Sequence, residues 1–527
     1  MTSSFEPALP ASELAEGEMR PCEIQGRTLL LTRIKGEIRA MEAHCCHYGA
    51  PLAEGLLHRQ RLYCPWHHAC FDATSGRQLE PCGLDHLHTY PVRETAGMIH
   101  VDVDASRVAP HPSPPPLDPA CRRVLILGAG AAAMHAASEL RDIGYDGDIT
   151  LVSREDTLPY DRPALSKDWL GGTLEASYLP LRDEAFFRDR DIRLLTGHEV
   201  TGFEVAQRQA RLDDGTTLEA DAVLIATGSA PRTLPLAGHD LPEVCLLRSR
   251  ADAEYIMALA EKARRVAVVG DSFIGLEVAS HLQRFDVEVS LLAHHELPLK
   301  KILGEPVARA IRQLFEDNGV EYMADTEIQS FTGNDKLTGL NLNTGRNLPA
   351  DLAVVGVGVT PATGYVAGLD LADDGAVPVD DFLRAAKGVY AAGDVALFPY
   401  WQTASPIRVE HWRLACEHGR LAGRNMVVEA AARERYRGLP FFWSEWFGKG
   451  LYYVGHAGEF DEMVIHGDPG AFDFVAYYCR GGEPLAAAGI NRNREMDAIH
   501  ELLRLERLPP ADELRQSFDP LARLAEL

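Results

Sequence analysis

Two apolar runs, each broken by a glycine, constrain this chain more than any other feature. Val124-Leu125-Ile126-Leu127 leads into Gly128-Ala129-Gly130-Ala131-Ala132-Ala133. Val266-Ala267-Val268-Val269 leads into Gly270-Asp271-Ser272-Phe273-Ile274-Gly275. An unbroken apolar run without polar alternation suits a parallel strand buried on both faces. A glycine turn and helical periodicity after it give strand, turn and helix, the opening of a nucleotide-binding βαβ unit. Val223-Leu224-Ile225-Ala226 is a third run of this kind. The middle of the chain therefore holds two such units in succession, a duplicated architecture rather than a short-period repeat.

The first turn fits G-x-G-x-x-A through Gly128, Gly130 and Ala133. Glycines there let backbone approach a pyrophosphate whose charge sits at the helix N-terminus. The next strand, Asp148-Ile149-Thr150-Leu151-Val152, is followed by Arg154 and Glu155, and Glu155 is the expected ribose ligand. In the second turn, Gly270, Ser272 and Gly275 occupy the three motif positions, so the middle one is less free. That turn otherwise fits a nicotinamide site. Its following strand ends at Leu291-Leu292-Ala293-His294-His295 with no carboxylate. NADH and NADPH are therefore not separated. His294 and His295 fit either a 2′-phosphate contact or solvated loop positions.

Around these units the texture changes. Ile24 to Leu31 and Ile34 to Met41 read as short strands, and Ile99 to Val103 alternates in the same way. Five prolines between Ala109 and Pro116 then favour an extended spacer. From about Gly438 the chain turns aromatic and strand-like, at Phe441-Phe442-Trp443, Leu451 to Val454 and Phe472 to Tyr478, before a helical stretch near Glu495 to Arg504. This gives five divisions: residues 1–104, a small all-β domain; 105–119, a linker; 120–238 with 359–436, the first nucleotide-binding domain; 239–358, the second; and 437–527, an α+β C-terminal domain. The formal charge of −25 argues against nucleic acid and anionic membrane surfaces as partners. No apolar run is long enough to span a bilayer. The segment Met1 to Glu18 has four glutamates and no Lys or Arg, unlike a signal or transit peptide, so the cytoplasm is the expected location.

The N-terminal domain carries Cys45-Cys46-His47 and, after sixteen intervening residues, Cys64-Pro65-Trp66-His67. Cys-x-His followed by Cys-x-x-His offers Cys45 and Cys64 to one iron of a [2Fe–2S] cluster, and His47 and His67 to the other. Neutral imidazoles in place of two thiolates raise the reduction potential. A Cys2His2 zinc site is the competing metal reading. Cys46 and Cys70 read as buried, inert thiols, and the Cys-x-x-His spacing selects His67 over His68.

The flanking Gly49-Ala50-Pro51-Leu52 and Cys64-Pro65-Trp66-His67 resemble Rieske domains across residues 10–104. Ala50 fills a position where Rieske proteins of cytochrome complexes place an extra cysteine, so the pattern is closer to oxygenase-type Rieske ferredoxins. A potential in the lower part of the range of about −150 to +300 mV follows. Leu158 to Lys167, Ala226 to Arg232 and Tyr390 to Asp394 resemble oxygenase ferredoxin reductases and apoptosis-inducing factor. With the front domain included, the chain resembles Rieske-bearing apoptosis-inducing-factor-like proteins. This implies a multidomain fold in which an N-terminal all-β Rieske domain precedes two Rossmann-like domains of glutathione-reductase type. The C-terminal interface domain leaves a homodimer open.

The resemblance implies FAD, a [2Fe–2S] cluster and NAD(P)H as cofactors. Gly128, Gly130 and Ala133 border the FAD pyrophosphate. Arg162 and Lys167 approach the flavin. Thr227, Gly228, Arg232 and Gly358 line the FAD cleft, and Asp394 holds the ribitol chain. Glu277 pairs with Lys167 near flavin N5, where hydride arrives. Glu410-His411-Trp412 opens a helix whose positive end faces the pyrimidine ring, which brings His411 and Trp412 to the cofactor. The Cys-x4-Cys of disulfide reductases is missing from residues 160–170, which argues against thiol–disulfide chemistry at the flavin. The expected activity is an FAD-dependent NAD(P)H oxidoreductase. It passes electrons through FAD to the fused cluster and on to a one-electron acceptor, an oxygenase or a cytochrome. The alternative is a redox-responsive signalling or assembly protein with little turnover.

Overall fold

The computed structural model describes residues 5–109 and 113–527. Residues 110–112 of the proline-rich spacer lie outside those residues. Its far end is fixed: Leu117 bridges Val428, and Pro116 accepts from the Glu429 amide at 3.0 Å.

The N-terminal domain is built from short antiparallel strands. Met19–Ile24, Arg27–Ile34 and Glu37–Glu42 form a meander joined by Thr89–Tyr90. The turns between these short strands fall at Gln25-Gly26 and at Lys35-Gly36, on the glycines that the sequence offers as turn residues. Both residues of each turn have positive φ, the geometry that matches the twist of a two-residue hairpin. A second sheet runs Leu56–His58, Arg61–Tyr63, Cys70–Asp72 and Gln78–Glu80. The two Cys/His loops flank it.

The first nucleotide-binding domain contains β1 (Arg123–Leu127), α1 (Ala131–Asp142), β2 (Asp148–Val152), β3 (Ile192–Leu195) and β4 (Ala222–Ile225). The second contains β5 (Val244–Leu246), β6 (Arg265–Val269), α2 (Phe273–His281), β7 (Glu288–Leu292), β8 (Glu321–Met323) and β9 (Leu352–Val355). The chain then returns to the first sheet through β10 (Val389–Ala391). The sheet orders are β3-β2-β1-β4-β10 and β5-β9-β6-β7-β8, parallel throughout these strands. The two crossings between domains lie side by side, since Ser229–Pro231 pairs with Val359–Pro361. Both glycine turns stand at the C-terminal edges of central strands, where ligands bind in open α/β sheets.

Helix α3 (Trp412–Val427) covers the first sheet and crosses α1 closely. Gly419 makes that crossing possible: a Cβ there would lie 2.1 Å from the Ala132 carbonyl oxygen. The C-terminal domain has β11 (Phe441–Trp446), β12 (Lys449–Gly455), β13 (Glu462–Asp468), β14 (Asp473–Arg480), β15 (Glu483–Ile490) and α4 (Asn493–Arg504). Its antiparallel sheet, ordered β11-β12-β15-β14-β13, is faced by α4.

Gly419→Val drives two methyl groups into the α1 backbone. The expected loss is about 1–3 kcal/mol of unfolding free energy, the usual range for overpacking. A urea midpoint equal to that of the unsubstituted protein would contradict this packing.

Candidate redox site

A cavity of about 980 Å³ runs between the two nucleotide-binding domains and reaches the C-terminal sheet. Gly128 and Gly130 form one end of it. Gly128 has φ +111°, and a Cβ there would lie 2.3 Å from the Ala226 carbonyl oxygen, so only glycine keeps this wall open. Glu155 is in the wall, paired with Arg162 at 2.7 Å and accepting from Tyr160 at 2.5 Å. Thr227 donates to the Ala362 carbonyl at 2.7 Å, beside Gly228, and Gly358 also lines the cavity. Asp394 accepts from Ser229 at 2.6 Å and faces Arg248 at 3.4 Å.

Lys167 and Glu277 meet as the sequence suggests, at 2.9 Å, both buried. Glu277 also accepts from Ser166 at 2.5 Å and from Ser444 of β11 at 2.6 Å. Three domains thus fix one carboxylate. His411 caps α3, and Trp412 is its first residue. Burial first, and then His456, pulls the His411 imidazole down to about 3, so it is neutral. His411 Nδ1 and Trp412 Nε1 are buried without a partner while lining the cavity. Orphaned polar atoms around an elongated cavity, with a glycine cradle at one end, fit FAD.

Some expected contacts fall elsewhere. Ala133 is buried one turn into α1, behind the wall rather than on it. Arg232 is exposed and donates to the Val359 carbonyl, beside the interdomain strands. In the second turn, Ser272 and Ile274 line the cavity, whereas Gly270 and Gly275 lie behind it. Ser272 donates to the Gly356 carbonyl at 2.9 Å and accepts from the Gly275 amide, doing by side chain what a middle glycine does by flexibility. His294 is exposed and lies 3.2 Å from Glu327.

The two Cys/His loops have matching form. The Cys45 amide donates to Ala50 O at 2.9 Å, and the Cys64 amide to Ala69 O at 2.8 Å. Four residues after each cysteine, Gly49 and His68 take left-handed φ. Cys45 and Cys64 are both buried, and their thiols lie close enough to perturb one another's ionisation. The Nδ1 atoms of His47 and His67 lie 3.1 Å apart. Burial, then His47 and Lys167, holds His67 well below the ordinary imidazole range, in the neutral form that ligates metal. Two thiols and two imidazoles converging from two loops fit the [2Fe–2S] group. Another set, His68, Glu80 and His500, is less suited to a cation. Its Glu80 carboxylate is already paired with Arg61 and Arg413.

The outer nitrogen of His47 does not face solvent. His47 Nε2 lies 3.1 Å from Asp161 Oδ2, inside the Tyr160-Asp161-Arg162 segment of the flavin-side motif, and both side chains are nearly inaccessible. The His67 ring centroid is 4.4 Å from that of Trp443. Pro163, Lys167 and Trp443 line the large cavity and also a second one, of about 520 Å³, whose wall includes His67. Sequence alone gives Asp161 and Trp443 no role: Asp161 lies within the Leu158 to Lys167 motif and Trp443 within an aromatic strand, and neither carries a local sign that it faces another domain.

Residues 122–419 match the family described as pyridine nucleotide-disulphide oxidoreductase. Residues 4–91 match the Rieske [2Fe-2S] domain, and residues 441–525 the reductase C-terminal domain. The chain is 35% identical to apoptosis-inducing factor 3 of Homo sapiens over 93% of this chain and 82% of that one. It is 30% identical to rhodocoxin reductase of Rhodococcus erythropolis over 75% of this chain and 93% of that one. Among solved structures, the covalent putidaredoxin reductase–putidaredoxin complex is similar, with TM-score 0.72 and 29% identity. It covers 77% of this chain and 98% of that one.

Glu277→Ala leaves Lys167 buried without its counter-charge, and the expected loss is about 3–5 kcal/mol. Glu277→Leu combined with Lys167→Met is expected to recover most of it, as read by urea unfolding. A single variant as stable as the parent would contradict the pairing. Buried histidines set a pH dependence as well. Burial holds His411 and His418 at about 3 and His135 at about 4, below the ordinary 6.5. The unfolded chain therefore takes up protons first. Stability is full above pH 6.5 and falls as pH drops toward 4, by up to about 1.4 kcal/mol per pH unit for each histidine. His418→Phe, in a pocket formed by Phe398 and Tyr436, is expected to flatten that slope. An unchanged slope would remove His418 from the account.

Proposed function

Because this chain belongs to the pyridine nucleotide-disulphide oxidoreductase family, in its Rieske-bearing, apoptosis-inducing-factor-like group, we propose that its two cavities and its Cys/His loops form one continuous electron path. The chain is an FAD-dependent NAD(P)H oxidoreductase of ferredoxin reductase type, with electrons passing through FAD to its own Rieske centre. When bound, FAD takes a hydride from NAD(P)H and releases its electrons singly to the [2Fe–2S] cluster.

The residues divide that work. The Gly128–Gly130 turn and the N-terminus of α1 receive the FAD pyrophosphate. Glu155 and Asp394 face the sugar and ribitol hydroxyls, and Thr227 and Gly228 shape the cleft. The Gly270–Ser272 turn of the second domain receives the nicotinamide nucleotide, with Ser272, Phe273 and Ile274 on the cavity wall. Lys167, held by Glu277, keeps a positive charge beside the flavin ring, where it favours the electron-rich reduced form. Orientation rather than proton transfer governs the hydride step. Cys45, Cys64, His47 and His67 hold the cluster, and Trp443 packs between His67 and the flavin cavity.

The observation that carries this reading is the bond from His47 Nε2 to Asp161, which seats the cluster loops against the flavin-side motif. Its neighbours Arg162 and Lys167 both line the flavin cavity. None of the ten cysteines is in a disulfide, which supports a reducing compartment, and we place the chain in the cytoplasm. No helix among the described residues is long and apolar enough to cross a membrane.

His47→Ala and His67→Ala are expected to abolish the cluster's EPR and visible signals. Flavin bleaching by NADH or NADPH should persist in an anaerobic titration. Loss of flavin reduction in both variants would contradict the division into two modules.

A further inference from the structure

The structure limits where electrons can leave. Both histidine edges of the cluster loops face inward, His47 onto Asp161 and His67 onto Trp443. The Rieske domain is also bound at several points to the rest of the chain. Tyr63 donates to Glu501 of α4 at 2.6 Å, and His68 bonds Asp497 of the same helix. Glu80 pairs with Arg413 of α3, whose side chain is 0% exposed. Asn493 donates to the Pro65 carbonyl at 3.0 Å, and Leu56, Tyr63 and Cys70 pack on Ala498, Leu502 and Leu524. Opening this contact would part Arg413 from Glu80, Glu501 from Tyr63 and Asp497 from His68, and separating buried charged groups from their partners is costly. These contacts together hold the Rieske domain in this docked arrangement.

One cavity touches a cluster ligand from outside this contact. It measures about 520 Å³, and His67 is in its wall with the aromatic rings of Tyr48, Trp66, Trp443 and Tyr452. That volume suits a small ligand. Of its charged residues, Asp161 is held by His47 and Lys167 by Glu277. Asp168 and Glu445 remain, both exposed and both acidic, so an anion is disfavoured.

We propose that this cavity is the electron exit and that its occupant is a neutral, planar, conjugated two-electron carrier of quinone type. The inference rests on the Rieske–FAD reading above. The balance is NAD(P)H plus one solvent proton plus quinone giving NAD(P)⁺ plus hydroquinone. Two electrons leave one at a time through the His67 side, and the quinone oxygens take up two protons.

The test uses holoprotein reduced anaerobically with NADH and then mixed with menadione, with cluster and flavin absorbance followed separately. Two variants fill the rim. Thr173→Trp places a ring at an exposed lining position. Gly450→Trp projects into open space, since a Cβ there meets nothing nearer than 3.9 Å. Both variants are expected to reduce flavin and cluster at the parent rate, while cluster reoxidation by menadione slows about tenfold or more. A naphthoquinone sulfonate should be a poor oxidant of the parent and a better one of the Asp168→Asn, Glu445→Gln double variant. The proposal is overturned by parent-like reoxidation in both blocked variants. It is also overturned by undiminished menadione turnover in cluster-free His47→Ala, or by cytochrome c oxidising the parent cluster as fast as menadione does. If NADH never reduces the cluster, the underlying Rieske–FAD reading fails instead.

Discussion

The hydrogen bond between His47 and Asp161 ties the two halves of this protein together, and the rest of the arrangement follows from where it lies. One partner belongs to the loop that offers thiols and imidazoles to a cluster, and the other to the segment that lines the flavin cavity. A carboxylate accepting from the outer nitrogen of a ligating histidine fixes the ring's orientation and tautomer and raises its basicity. Here that acceptor comes from a different domain, so ligand orientation and domain docking are one and the same constraint. Trp443 and Lys167, which line both cavities, occupy the short space between the centres.

Around that bond the interface is unusually ionic for its depth. Arg413 is fully buried between Glu80 and Glu417 and lies over the Phe441 ring, and Glu501 is held by Tyr63 and Arg504. Buried ion pairs add little net stability compared with well-packed apolar groups, but breaking one is expensive. Such a contact favours one docked geometry over many. The same logic applies inside the flavin site, where Glu277 draws the Ser166-Lys167 segment and Ser444 of β11 onto one carboxylate.

How much of this could be read from the chain depends on range. The cluster ligands are local: Cys-x-His and Cys-x-x-His place thiol and imidazole on one tight loop each. The glycine turns are local too, since a buried strand followed by Gly128 admits few alternatives. Lys167 and Glu277 lie far apart in sequence, and their pairing came from resemblance rather than from any pattern in the residues. Asp161, Asp497 and Arg413 gave no signal, because a carboxylate or guanidinium destined for burial is indistinguishable from a solvated one until its partner is known. The misplaced contacts have a similar cause. Ala133 and Gly275 fit a motif whose third position serves helix–strand packing, so they sit behind the cavity rather than in it.

The central claim is that each flavin reduces the cluster docked against it on the same chain. The most direct measurement is the rate of cluster reduction after rapid anaerobic mixing with excess NADH, repeated over a wide range of protein concentrations. Internal transfer predicts a first-order rate that does not change on dilution. A rate that falls in proportion to protein concentration would mean that electrons travel between molecules, and the docked arrangement would not be the one that works.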